Sequence, residues 1–335
     1  LSQGFPDFDA PESLREALGR HAMAGHNQYA PMAGVPQLRE QIALQVDRYR
    51  QVQVDPELEV TVVPGATEGI FCAVMACVRH GDEVLVFDPC YDSYEPSVEL
   101  AGGRTIHIPL SPQTFQIDWQ QVEAAITPRC RMIIINSPHN PTGATVGRND
   151  LAQLERLATQ HDLLVVSDEV YEHLVFDGQA HQSVLQVPGL RERSFALFSF
   201  GKTFSVTGWK TGFCVAPAAL TAELRKVHQF VSFVGVTPVQ LALADFMRDN
   251  PGYAGTLAGF YQRKRDLFCA AIEPSRFRCQ PSAGTYFQLL DYRELSDAPD
   301  FELCEQWTRE HGVASIPVSI FYRQPPPQSL SLIHI

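Results

Sequence analysis

The chain has 335 residues, 45% hydrophobic and 19% charged, which suits a globular protein with a sizeable core in one large or two modest domains. Its 38 acidic residues outnumber 26 basic ones for a net charge of −12, which argues against nucleic acid or an anionic membrane as a main partner. Eight scattered cysteines with no CxxC pair read as reduced cytosolic thiols, and the longest strongly apolar run, "IFCAVMACV" at 70–78, is too short to cross a bilayer.

The chain opens at Leu1, without a methionine and without a signal peptide, so an upstream piece is expected to be missing. Candidate strands follow at 59–63, 83–87, 104–110, 131–136, 163–168, 195–200 and 211–217, with helix patterns such as 67–79 and 150–161 between them. Several strands are continuous apolar runs, as expected when helices cover both faces of a sheet. Strand and helix in alternation predict an α/β domain with a mostly parallel seven-stranded sheet. From about Arg263 the rhythm changes to a long helix, "PSAGTYFQLLDY" and "GVASIPVSIFY". Residues 27–265 are therefore expected to form a large domain, and 1–26 with 266–335 a smaller α/β one.

Ligands of open α/β sheets bind beyond the carboxyl ends of the strands. There the chain carries "PGATEG" (64–69), "DPCYDSY" (88–94), "SPHNPTG" (137–143), "SDEVYEH" (167–173) and "SFGK" (199–202). Each has a plain reading alone: a strand-to-helix turn, an Asn-Pro turn, an Asp cap, a rim aromatic, a snorkelling lysine. "PGATEG" also reads as a phosphate cradle, because free N–H groups at a helix start attract anions. The letters "GKT" at 201–203 are not a P-loop: five residues before Gly201 stands Ala196, inside a strand, where that motif needs glycine.

Together with "NQYAPMAGVPQLRE" (27–40), "HNPTG" (139–143) and "SFGKTFSVTGWKTG" (199–212), these segments resemble the fold-type-I pyridoxal-phosphate aminotransferases. The branch they resemble most is that of the bacterial methionine aminotransferases and the kynurenine and glutamine transaminases. The resemblance runs from residue 1 to about 327, in order and spacing. It implies that Lys202 attaches to the cofactor aldehyde and, once displaced by substrate, acts as a free base, a task favoured by its uncharged sequence neighbours. It implies that Asp168 holds the pyridine nitrogen protonated, that Tyr171 and Asn140 hydrogen-bond the ring 3-oxygen, and that Tyr91 stacks on the ring. Gly65, Ala66, Thr67, Ser199 and Lys210 would cradle the phosphate, and Tyr29 would reach the phosphate of a second subunit in a homodimer. Gly4, Phe5 and Asn140 would contact the substrate. The reaction implied is ping-pong transfer of an amino group from methionine, or aromatic or glutamine-like amino acids, to a 2-oxo acid. The same lysine would also serve β-elimination from cysteine conjugates.

Two positions depart from the family. Lys210 stands where many relatives have arginine, so a bidentate grip becomes a point charge. The arginine that clamps the substrate carboxylate is expected shortly after "PVSIFY", yet the chain runs "FYRQPPPQSLSLIHI", with Arg323 too early and residues 329–335 unlike the family. The chain as written is therefore expected to bind cofactor and transaminate poorly.

Overall fold

The computed structural model describes residues 6–325 and the backbone of 330–334. Seven strands, β1 (Val60–Val63), β2 (Glu83–Asp88), β3 (Arg104–Pro109), β4 (Cys130–Asn136), β5 (Leu164–Asp168), β6 (Ser194–Ser199) and β7 (Gly212–Val215), form one sheet in the order β1-β7-β6-β5-β4-β2-β3. All neighbours are parallel except β7, which runs antiparallel to β1 and β6. Every predicted strand is present, shifted by at most two residues at an end.

The continuous apolar runs have a simple origin. Ile133 and Ile135 of β4 enter one buried cluster with Ala196 and Phe198 of β6, while Met132 and Ile134 enter another with Phe195 and Leu197. Side chains alternate between two faces, and both faces are covered, so both parities must be apolar. The helix Ala66–Cys77 covers one of them so closely that a β-carbon on Gly69 would lie 2.6 Å from Leu197 Cδ1. Only glycine allows that approach.

A third cluster, with Tyr171, Phe176, Tyr261, Tyr286 and Phe287, marks the second unit. It adjoins a three-stranded antiparallel sheet of β8 (Phe287–Asp291), β9 (Ile316–Pro317) and β10 (Leu330–His334), ordered β8-β10-β9. The atypical segment thus supplies the central strand of this sheet. Residues 1–26 include the helix Glu12–Met23. That helix packs along Thr237–Asp249 and places Leu14 and Ala17 in the large core, whereas Phe8 packs 5.2 Å from the Phe260 ring. Among the described residues no helix is long and apolar enough to cross a membrane.

Candidate active site

At the carboxyl ends of β1, β4, β5 and β6 lies a cavity of about 630 Å³. Its lining includes Gly65, Ala66, Thr67, Tyr91, Asn140, Asp168, Tyr171, Ser199, Lys202 and Lys210. Residues scattered over 146 positions of sequence (210 − 65 + 1) are thereby gathered in one place.

One end is built for an anion. Gly65 turns the chain with φ +84° into the helix Ala66–Cys77, whose first N–H groups have no partner within the helix. Lys210 follows a short 3₁₀ turn in the left-handed conformation, φ 49°, and a β-carbon on Gly65 would sit 3.4 Å from its Nζ. An ammonium group therefore hangs over a helix start, a pairing suited to phosphate.

The far end holds Asp168, the last residue of β5 and buried. Burial pushes its carboxyl up to about 6, against the lowering effects of Tyr94, the Val170 N–H and the charge of Lys202. Tyr94 Oη donates to Oδ2 at 2.6 Å. Asn136 braces the same corner, donating through Nδ2 to the Asp168 carbonyl at 2.8 Å and accepting the Asn140 N–H at 2.7 Å. Asn140 is thus positioned by the residue that ends β4.

Lys202 projects from the short helix Phe200–Thr203 after β6. Its Nζ donates to Tyr286 Oη at 2.9 Å and lies 5.7 Å from the Tyr171 ring centre. Among the described residues it forms no ion pair. Tyr171 is buried, and burial raises its phenol well above the ordinary range. The rest of the cavity wall combines the apolar Ile70, Val170, Phe287, Ile316, Ile320 and Phe321 with Asp92, Thr207, Thr211 and two glycines.

Among the described residues, Tyr29 does not join the lining. Tyr29 is 85% exposed and packs edge-on against Phe233, 5.6 Å away. Gly4 and Phe5 lie outside the described residues. Arg323 pairs with Glu95 at 3.0 Å, and its N–H donates to Asp88 at 2.9 Å, so it is held away from the cavity. Three contributors escaped the sequence reading. Tyr94 stands three residues after Tyr91 in the quoted "DPCYDSY" segment, one helical turn on, which was the available signal. Asn136 and Tyr286 gave none, because each matters through a contact far away in sequence.

Pyridoxal 5'-phosphate fits these residues. The anion cradle matches its phosphate, the buried carboxyl, which has no cationic hydrogen-bond partner among the described residues, matches a protonated ring nitrogen, and the lysine amine lines the same cavity. A lysine, a buried aspartate and a phosphate cradle at the edge of an open sheet define a vitamin B6-dependent transferase. Residues 1–330 match the model of the family Aminotransferase class I and II, and the chain belongs to that family of pyridoxal-phosphate transaminases. It is 49% identical over 330 residues to the methionine aminotransferase of Escherichia coli strain K12, covering 98% of this chain and 86% of that one. The probable N-succinyldiaminopimelate aminotransferase DapC of Mycobacterium tuberculosis is 41% identical over 96% of this chain and 81% of its own length. Among solved structures, YbdL from Escherichia coli, described as having a methionine aminotransferase function, superposes with a TM-score of 0.98 at 48% identity. That match covers 100% of this chain and 88% of the other.

Proposed function

We propose that this transaminase moves the amino group of methionine, and of aromatic or glutamine-like amino acids, to a 2-oxo acid in two alternating half-reactions. The carrying observation is that Lys202, Asp168 and the anion cradle share one cavity, whose wall also presents six apolar side chains and the Asp92 carboxylate. The apolar side chains favour a thioether or an aromatic ring, and Asp92 in the same lining disfavours a second carboxylate by like charge. The 49% identity to a methionine aminotransferase supports the same donor.

Pyridoxal 5'-phosphate, when bound, supplies an electron sink for negative charge at the substrate Cα. Lys202 removes the Cα proton, with the Tyr286 hydroxyl 2.9 Å away to orient it. Asp168 keeps the proton on the ring nitrogen. Asn140 and Tyr171 would hold the cofactor ring through its 3-oxygen, and Tyr91 would offer it a flat face. Gly65, Ala66, Thr67, Ser199 and Lys210 hold the phosphate.

Tyr29 reaches the site of a second copy in a homodimer, which accounts for its distance from its own cavity. The exposed apolar residues Met23, Phe230 and Val236 suit burial against that copy. The protein works in the cytoplasm. Its larger domain starts at the helix Glu12–Met23, and Phe8 packs with the smaller one.

The test is to supply cofactor, methionine and a 2-oxo acid and to follow the new amino acid, then repeat with a panel of donors. Methionine at or near the top supports the reading. Release of pyruvate and ammonia from cysteine conjugates, with no amino transfer from any donor, overturns it.

A further inference from the structure

Two free cysteines face each other in the second unit. Cys269 Sγ, in the last turn of the helix Leu257–Ile272, lies 3.2 Å from Cys279 Sγ. Closing them to a bond of ~2.0 Å needs a shift of only about an ångström, small for side chains that are partly exposed. Cys279 also lines an open cavity of about 440 Å³, so a small molecule can reach it.

The pair stands behind the active site. Cys269 Sγ contacts Gln288 Oε1 at 3.7 Å, and the Gln288 amide holds the Gln280 carbonyl at 2.7 Å and the Ser282 N–H at 3.1 Å. Two residues further, the Gly284 N–H donates to the Gly143 carbonyl at 2.9 Å, at the end of the loop that carries Asn140. Tyr286, the partner of Lys202, belongs to this same segment.

We propose that Cys269 and Cys279 are a dithiol that a small-molecule disulfide oxidises to an intramolecular disulfide, fastening the helix Leu257–Ile272 to the segment that carries Tyr286. One cysteine attacks the small disulfide and releases one small thiol. The second then displaces the other, so the protein loses two hydrogens and the reagent gains them. Burial and the contact with Cys269 raise the Cys279 thiol to about 12, so the reaction quickens as pH rises. Nothing in this step uses the transamination machinery.

The probe is glutathione disulfide, added to the intact protein at about pH 8.5 before alkylation and peptide mapping. The expected product joins residues 269 and 279, two hydrogens lighter, and reverts with dithiothreitol, while the other six cysteines take up alkylating reagent. Cys269→Ser and Cys279→Ser are each expected to stop with glutathione on the remaining cysteine. Amide exchange across 280–287 should slow several-fold in the oxidised protein. Stable glutathione on the wild-type pair, bonds among other cysteines, or two thiols that stay fully alkylatable would overturn the dithiol. Unchanged exchange would overturn its tie to the site.

Discussion

Asp168 and Glu169 are adjacent, both are buried, and they lie on opposite sides of a division of labour. Glu169 belongs to a closed network. Its Oε1 accepts from Ser167 Oγ at 2.9 Å, Ser183 Oγ at 3.1 Å and the Val184 N–H at 3.2 Å, and its Oε2 lies 2.7 Å from His181 Nε2. Burial alone would push this carboxyl up. The His181 hydrogen bond and charge, then the Arg50 charge and Ser183, bring it below the ordinary glutamate range. Arg50 in turn pairs with Glu172 and lies 4.9 Å over the Phe198 ring. Asp168 has one tyrosine hydroxyl and one long N–H contact at 3.4 Å, and its carboxyl rises to about 6. The contrast teaches that burial does not decide the state of a carboxylate; the number of donors aimed at it does. Glu169 is finished by the fold, while Asp168 is left one cation short, which is what a ligand with a protonated ring nitrogen supplies.

The largest expected effect separates chemistry from scaffold. Lys202→Ala should cut amino transfer by about 10⁴-fold or more, with denaturant stability changed by less than about 1 kcal/mol. After borohydride treatment of the cofactor-loaded protein, the pyridoxyl label should sit on the wild-type peptide containing residue 202 and vanish in the variant. A label on another wild-type peptide removes Lys202 from the reaction.

Next in size is the Glu169 side. Glu169→Gln should cost about 3–5 kcal/mol of stability in denaturant titrations, because a buried charge network loses its centre. Activity per folded, cofactor-loaded molecule should change little. A large loss of kcat at full folding would place Glu169 in the chemistry and dissolve the comparison.

Asp168 should do the reverse. Burial pushes its folded carboxyl up to about 6 from an ordinary 3.8, so in the cofactor-free protein the proton is bound more tightly when folded. The stability this confers is fully present below about pH 4 and is lost as pH rises through 6, a fall of about 3 kcal/mol. Asp168→Asn carries no such titration. Without cofactor it should be more stable than wild type at pH 7 by up to about 3 kcal/mol, while losing affinity for pyridoxal 5'-phosphate. Equal pH profiles for the two cofactor-free proteins would refute the assignment.

The smallest change sharpens the same point. Tyr94→Phe removes the 2.6 Å hydrogen bond that lowers the Asp168 carboxyl. The carboxyl should rise further, and cofactor affinity should weaken by about tenfold. Nuclear magnetic resonance titration of the Asp168 carboxyl and absorbance titration with cofactor would measure the two.

Much of the site was legible before any coordinates, because its parts sit where strands end and local chemistry announces the turn. Gly65 before Ala66 and Thr67, the Asn-Pro turn at Asn140, Asp168 closing an apolar run and Lys202 just past another are all signals within a few residues. The helix Glu12–Met23 shows the limit. Nothing local in its sequence announces that it packs along Thr237–Asp249 with Leu14 and Ala17 in the large core. Tyr286 was hidden likewise: its hydroxyl meets Lys202 across 84 positions of chain.

The sequence by itself determined the strands, the turns and the identity of the reactive groups, since strand periodicity and helix-start chemistry depend on near neighbours. Only the tertiary structure decided the company those groups keep. Tyr94 meets Asp168 over 74 residues, while Ser183 and His181 turn to Glu169. The charge state of a buried group follows from the donors that folding brings to it, and those contacts have no local trace in the chain.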